Sequence, residues 1–398
     1  MAEGDEANSH HHLTHEDLLC VPDLPTTTTG FGLDAIIVPT ARPSAQLRTA
    51  IGYAKQLGCA LLVLCSKKST AAHVVALTEG TGIDVIAIDV NQRHRKLLPE
   101  FKTDALAKRR FLDIRDTATK RNIALLFANL VGWRRVFFLD DDITVEHVDV
   151  LKAAARQLDH VEVAGLRVDE YPDNSVVCHA GRELGHPQRT FIGGGALAVD
   201  VAAAAGSFFP HVYNEDWFFL LGDKGLRSTA IAGRAKQERY DPYYTRSRAR
   251  FEEFGDTLAE GVFWLLDEDH KVNDADRKHW GAFLDHRRAF ISGLLATVGT
   301  SELSSAKQHK IRRALTAALR RNQRITPELC TAYLDEWFKD RKTWQEYLTT
   351  MRAACPSTDP VEVSRMLGLG AAFVSAVNEP ELPAGSRELS RSSSVPGA

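Results

Sequence analysis

Apolar runs and polar breaks alternate along the first third of the chain, and the alternation predicts strands and helices in turn. Leu33 to Val38 is a continuous apolar run closed by Pro39-Thr40-Ala41-Arg42-Pro43. A run with no polar face suits a strand buried on both sides. Ser44 to Leu57 follows, with Leu47, Ile51, Ala54 and Leu57 at helical spacing. Ala60 to Leu64 predicts a second strand, Ala71 to Leu77 a short helix, and Asp84 to Ile88 a third strand. Lys108 to Leu130 predicts a helix that leads into a strand over Arg135 to Leu139. This order implies a parallel sheet with right-handed crossovers. Further on, Val161 to Val168 and Ser175 to His179 predict strands around a turn at Pro172-Asp173-Asn174. Glu215-Asp216 opens a helix over Trp217 to Leu221, and Thr229 to Ala232 predicts a short strand. From about Arg250 the pattern turns helical. Phe251, Phe254, Leu258, Val262, Leu265 and Leu266 mark one face, and residues 282–298, 306–321, 327–352 and 361–377 each predict another helix.

The fold class read from this pattern is α/β, a Rossmann-like and mostly parallel central sheet with a C-terminal all-α appendage. Four stretches follow: a flexible arm over 1–30, an α/β domain over 31–248, a helical region over 249–378, and a disordered tail over 379–398 rich in Ser, Pro and Arg. A length of 398 residues and a hydrophobic content of 44% support a sizeable core. The net charge of -3 gives no bulk attraction to nucleic acid or to anionic membranes. Six cysteines without a CxxC pair read as reduced, mostly buried thiols, which points to the cytoplasm. No apolar run reaches membrane-spanning length.

Charge appears where the pattern leads one not to expect it. Val136-Phe137-Phe138-Leu139 ends in Asp140-Asp141-Asp142, at the carboxyl end of a strand, where open α/β sheets place their ligands. Clustered hard oxygen donors there suit a divalent cation that also holds a diphosphate. A solvated turn or a helix N-cap fits the same residues. Gly193-Gly194-Gly195 lets backbone approach a ligand closely, or simply turns the chain before a helix. Glu215 and Asp216 are acids at a helix start, favoured there by the macrodipole and also placed to act as a base.

Five segments, in order along roughly residues 33 to 250, together resemble a GT-A glycosyltransferase, closest to glycosyltransferase family 2. Ile36-Ile37-Val38-Pro39-Thr40-Ala41-Arg42-Pro43 resembles the opening strand and its Pro-Thr turn. Lys120-Arg121-Asn122-Ile123-Ala124 resembles the Ala-Arg-Asn segment, and Phe137 to Asp142 the DxD strand. Gly193-Gly194-Gly195-Ala196 resembles the glycine turn leading into the acceptor-side helix, and Asn214-Glu215-Asp216-Trp217 the Glu-Asp pair. The resemblance implies transfer of a sugar from a nucleotide-sugar to a small-molecule or glycan hydroxyl. It implies Mg²⁺ or Mn²⁺ on Asp142 with Asp140, Asp216 as general base with inversion, and Glu215 beside it. Donor contacts implied are Pro39, Thr40, Arg42, Arg121, Asn122, Asp140, Asp141 and Gly194. Arg246 and Arg248, in the basic run Thr245 to Arg250, would close over the diphosphate.

The chain departs from the family pattern at two places. Its second strand ends Leu64-Cys65-Ser66-Lys67-Lys68, without the usual carboxylate for the nucleotide base. The region after Thr229 to Ala232 offers Gln237, Glu238 and Tyr240, with no histidine for the metal. Two other functions compete. A nucleotidyltransferase normally has a glycine-rich loop after the first strand, and here that loop has no glycine. A non-catalytic nucleotide-sugar-binding protein on a degenerate fold accounts for the lost base-binding acid. The helical region could recognise the acceptor, join two copies of the chain or cap the sheet.

Overall fold

The computed structural model describes residues 15–20, 32–110, 115–169, 171, 174–186 and 191–376. Along the chain run β1 (Ala35–Thr40), α1 (Arg48–Leu57), β2 (Ala60–Cys65), α2 (Ala71–Thr78), β3 (Val85–Asp89), α3 (Lys102–Arg110), α4 (Thr117–Val131) and β4 (Arg135–Leu139). Then come β5 (Ile143–Thr144), α5 (Asp149–Gln157), β6 (Val163–Val168), α6 (Val176–Glu183), β7 (Ala196–Asp200), α7 (Glu215–Leu220) and β8 (Thr229–Gln237). The rest is α8 (Arg246–Asp267), α9 (Arg277–Thr297), α10 (Ser305–Asn322), α11 (Pro327–Ala354), α12 (Pro360–Met366) and β9 (Ala372–Val374). The expected alternation of strands and helices is present, and so is the helical C-terminal region.

The sheet runs β5-β8-β6-β7-β4-β1-β2-β3-β9. β1, β2, β3 and β4 are mutually parallel, β7 lies antiparallel between β4 and β6, and β8 runs parallel to β6. From β1 the chain builds outward through β2 and β3, then returns to lay β4 on the other side of β1. That reversal opens a crevice at the carboxyl ends of β1 and β4. Every residue of β1 and β4 is buried. Pro39 costs the sheet little there. The β4 ladder reaches only Ile37 against Phe138, so the edge that lacks an N–H at Pro39 faces no partner.

α4 is buried along almost its whole length, with Ile123, Ala124, Leu126 and Phe127 under the sheet. Each large apolar side chain buried this way contributes roughly 1.5–3 kcal/mol. This packing fixes the first two turns of α4, which carry Lys120, Arg121 and Asn122, beneath the crevice.

Four expectations need correction. The helix expected over Lys108 to Leu130 is not continuous: α3 ends at Arg110, α4 begins at Thr117, and Arg115 and Asp116 belong to neither. Ser175 to His179 forms the start of α6 rather than a strand, with the Ser175 side chain accepting from the Cys178 N–H as a helix N-cap. Residues 361–377 split into α12 and the strand β9, which pairs antiparallel with β3. The glycine run leads into strand β7, not into a helix. The helical region is also continuous with the sheet's core: Tyr333, Trp337 and Trp344 of α11 share one cluster with Phe127, Phe138 and Phe209.

Part of the N-terminal arm is docked. His15 is buried, with its Nδ1 2.6 Å from Asp267 and its ring edge-on to Trp217. The Cys20 N–H donates to the Thr229 carbonyl at 2.8 Å. The rest of the arm to residue 14, residues 21–31 and the tail over 379–398 lie outside the described residues. Among the described residues, no helix is long and apolar enough to cross a membrane.

Candidate active site

A cavity of about 190 Å³ opens at the carboxyl ends of the strands. Asp140 enters it from the end of β4, Gly193 and Gly195 from the approach to β7, and Glu215 and Asp216 from the first turn of α7. Asp140 and the Glu215–Asp216 pair, distant in sequence, therefore face one hollow, whereas Asp141 and Asp142 are not among the residues that line it.

Arg121 joins them. Its Nη2 donates to Asp140 at 3.0 and 3.2 Å, and its Nη1 donates to Glu215 at 3.0 Å. Burial works against a charge at Arg121, but Asp140 and Glu215 outweigh it and raise its pKa above the ordinary arginine value. The Gly194 N–H donates to Asp216 Oδ2 at 2.6 Å, and the Trp217 N–H donates to the other oxygen at 3.0 Å. Those two bonds fix the orientation of the Asp216 carboxylate. The glycine run is required by close approach: a Cβ on Gly194 would sit 2.5 Å from Arg121 Nη1 and 2.9 Å from Asp216 Cβ.

Burial, and then the adjacent Asp216 charge, push the Glu215 carboxyl up to about 7, although Arg121 pulls it down. The pair is held by Asn214, which precedes α7 in the left-handed region at φ 58° and donates its side-chain amide to Asp256 at 3.0 Å. Asn tolerates that conformation better than most residues. α8 lies so close behind that a Cβ on Gly255 would meet the Tyr213 carbonyl oxygen at 2.1 Å.

Asp141 and Asp142 are engaged differently. Arg42 Nη2 lies 2.7 Å from Asp141 and 2.6 Å from Asp142, and Arg42 Nη1 lies 3.3 Å from Glu238. The Thr40 hydroxyl donates to Asp141 at 2.5 Å, and Gln237 donates to Asp142 at 3.4 Å. Burial raises the Asp141 pKa, against the pull of Thr40 and Arg42. Beneath them the Lys120 ammonium donates to the Thr40 carbonyl at 2.8 Å and to Ser66 at 2.7 Å. It ties the ends of β1 and β2 together.

Some expected residues stand elsewhere. Asn122 is fully buried, and both ends of its amide are spent on the Phe209 backbone at 2.8 Å each. It steers the chain toward α7 and, fully buried, presents no group to a sugar donor. Pro39 is buried within β1. Arg248 stacks on Tyr240, 4.4 Å from the ring centroid, and bonds Glu252 at 2.5 Å. Neither Arg246 nor Arg248 lines the cavity. The cationic place there belongs to Arg115, which lies over Phe251 at 4.4 Å and 3.5 Å from Glu252.

Sequence reasoning missed Arg115 and Asp116. Asp116 accepts from Ser66 at 2.6 Å, so a carboxylate does stand at the end of β2, supplied by the residue preceding α4. A single helix read over 108–130 places Asp116 in its interior; an Asp followed by Thr117 was the available signal for a helix start there. Asp256 and Glu260, from an α8 turn read only for its apolar face, also line the cavity. With Cys178 they bring three ligand-type atoms within 4.8 Å of one another. Their charge is answered internally: Arg287 lies 2.6 Å from Asp256, and His15 lies 3.6 Å from Glu260.

The donor set suits a hard divalent cation. Five carboxylates line the cavity (Asp140, Glu215, Asp216, Asp256 and Glu260) against the guanidiniums of Arg115 and Arg121, and oxygen ligands favour Mg²⁺ or Mn²⁺.

No family model matches the chain, and no curated protein matches it. Among solved structures it is similar to a mannosyltransferase, PcManGT from Pyrobaculum calidifontis in complex with GDP-Man and Mn²⁺. The likeness covers 78% of this chain and 92% of that one, at 15% identity and a TM-score of 0.43. At that distance it assigns no chemistry to any residue here.

Proposed function

We propose that the protein is a metal-dependent glycosyltransferase of the GT-A type, similar to family 2, that moves a hexosyl group from a nucleotide-sugar to a hydroxyl acceptor. One observation carries this reading: Asp140 and the Glu215–Asp216 pair meet in a single cavity at the sheet's switch point, bridged by Arg121.

Asp140 on the cavity wall, with Asp142 two residues on and released from Arg42, would hold Mg²⁺ or Mn²⁺, which when bound neutralises the leaving diphosphate. Arg115 and Arg121 add guanidinium charge to the cavity wall. Thr40 and Arg42 orient Asp141 and Asp142 from the end of β1. Asp216, its carboxylate fixed by the Gly194 and Trp217 N–H groups, takes the proton of the acceptor hydroxyl. A base facing the sugar opposite its leaving group gives inversion.

A second assignment of the base has its own support. The Glu215 carboxyl titrates near neutrality, where a general base works best. The pH dependence separates the two. If Glu215 takes the proton, kcat/KM falls as pH drops below about 7 and Glu215→Gln is the inactive variant. If Asp216 does, Asp216→Asn is the inactive one.

The deciding assay incubates the protein with a panel of nucleotide-sugars and Mn²⁺ and measures released nucleoside diphosphate. Release supports the reading. Pyrophosphate formed from a nucleoside triphosphate and a sugar phosphate would replace it with nucleotidyl transfer. Thermal stabilisation by a nucleotide-sugar without turnover would leave a binding protein.

A further inference from the structure

Away from the cavity, the first turn of α8 and one face of α10 wall an open groove of about 730 Å³. On α10, Arg312, Arg313, Thr316 and Arg320 line it, at offsets of one, four and eight residues, which form one stripe on a helix. The opposite stripe, Ile311, Ala314, Leu315 and Ala318, is buried and holds the helix in place. α8 contributes Thr245, Arg246, Ser247 and Arg250, and Arg324 extends the row past the end of α10.

The charge here is one-sided. No carboxylate among the described residues lines the groove. Among the described residues, no acid pairs with Arg246, Arg250, Arg312, Arg313, Arg320 or Arg324. Burial and the guanidiniums of Arg250 and Arg324 lower the pKa of Arg321. The Arg321 Nε donates to the Arg250 carbonyl at 3.0 Å, which locks the two helices together.

The N-terminus of α8 adds to this field. Thr245 forms no side-chain cap; its hydroxyl accepts from Ser247 at 2.9 Å instead. The uncapped N–H groups of a 22-residue helix therefore open beside the guanidiniums, and such a terminus favours a phosphate.

We propose that this groove is a second ligand site, for a soluble chain of several phosphate groups, with one phosphate at the N-terminus of α8 and the next along the α10 stripe. Arg312 to Arg320 spans eight residues, about 12 Å of helix, enough for more than one phosphate. A concave site suits a slender anion better than a flat bilayer. Among the described residues no Phe, Tyr or Trp lines it, so nucleic-acid bases find no large ring to stack on. The site shares no residue with the cavity, although Arg250 of the groove and Phe251 of the cavity are neighbours on α8.

The test titrates the full chain with tripolyphosphate by calorimetry, at about 0.15 M salt and with chelator present. It runs beside Arg313→Gln/Arg320→Gln. The expected result is saturable binding that weakens roughly tenfold per guanidinium removed, so about 100-fold in the double variant. The melting temperature stays unchanged. Equal affinity in the double variant overturns the proposal, as does the absence of saturable binding. Tighter binding of an oligonucleotide of equal charge, or binding only to phosphatidylserine-rich vesicles, overturns it in favour of those partners. Should the double variant fail to fold, wild-type affinity is followed as salt is raised. A steep fall upholds the groove, and a flat response sinks it.

Discussion

The cavity and the arginine groove both lean on α8, yet they treat charge in opposite ways. In the cavity four of the five acids have a basic counterpart, Arg121 between Asp140 and Glu215, Arg287 against Asp256 and His15 against Glu260, while Asp216 is held by two backbone N–H groups. In the groove, guanidiniums from two helices crowd together, and among the described residues that line it none is an acid. Buried charges must be paired, because an unpaired one costs several kcal/mol of lost hydration. Exposed arginines can stay uncompensated, since water screens them. The first arrangement therefore suits chemistry in which positions must be fixed, and the second suits capture of a mobile anion.

The largest effect expected is on the cavity's fixed base. Asp216→Asn should keep nucleotide-sugar binding, read by calorimetry, and lower kcat by about 10²–10⁴-fold. Unchanged turnover would remove the catalytic half of the contrast. Gly194→Ala comes next. Its new methyl collides with Arg121 and Asp216, and displacement of that order costs about 100-fold in rate, checked in the same assay at unaltered melting temperature. Salt sharpens the comparison further. Between about 0.05 and 0.2 M, tripolyphosphate binding to the groove should weaken more than tenfold, while kcat/KM at the enclosed cavity changes less than twofold.

A smaller effect concerns stability. The His15 pKa is raised to about 9: burial opposes the charge, but Asp267 and Glu260 overcome it. A raised pKa favours the protonated folded state, so this contribution is fully present below about 6.5 and is lost as pH rises through about 9. Thermal melts of wild type and His15→Ala should therefore differ most at pH 6 and converge by about pH 10. A constant gap across that range would show that ring packing alone holds the segment.

How much of this was legible in the sequence follows from which signals are local. The strands β1 to β4 were readable, because runs such as Ala35 to Val38 are apolar throughout and end at Pro or Asp. Ser175 to His179 was not. Val176, Val177 and Cys178 are buried in a helix, and a short all-buried apolar run has no period that tells a helix from a strand. At the site, Asp140, Arg121, Gly194, Glu215 and Asp216 do converge. Arg246 and Arg248 do not, since a basic run reveals nothing of the face it will join. Asn122 looked like a ligand contact because its Phe209 partner lies 87 residues away. No local pattern carries a pairing of that range.

The strand β9 has a consequence for biosynthesis. β3 gains its outer partner only from residues 372–374, about 280 residues after its own last residue. At usual translation speeds its edge stays bare for roughly 15–60 s as the chain emerges. A nascent sheet with an open hydrogen-bonding edge is a template for wrong partners. Any premature stop before Ala372 would make that temporary exposure permanent, and such fragments should be found with chaperones or in aggregates.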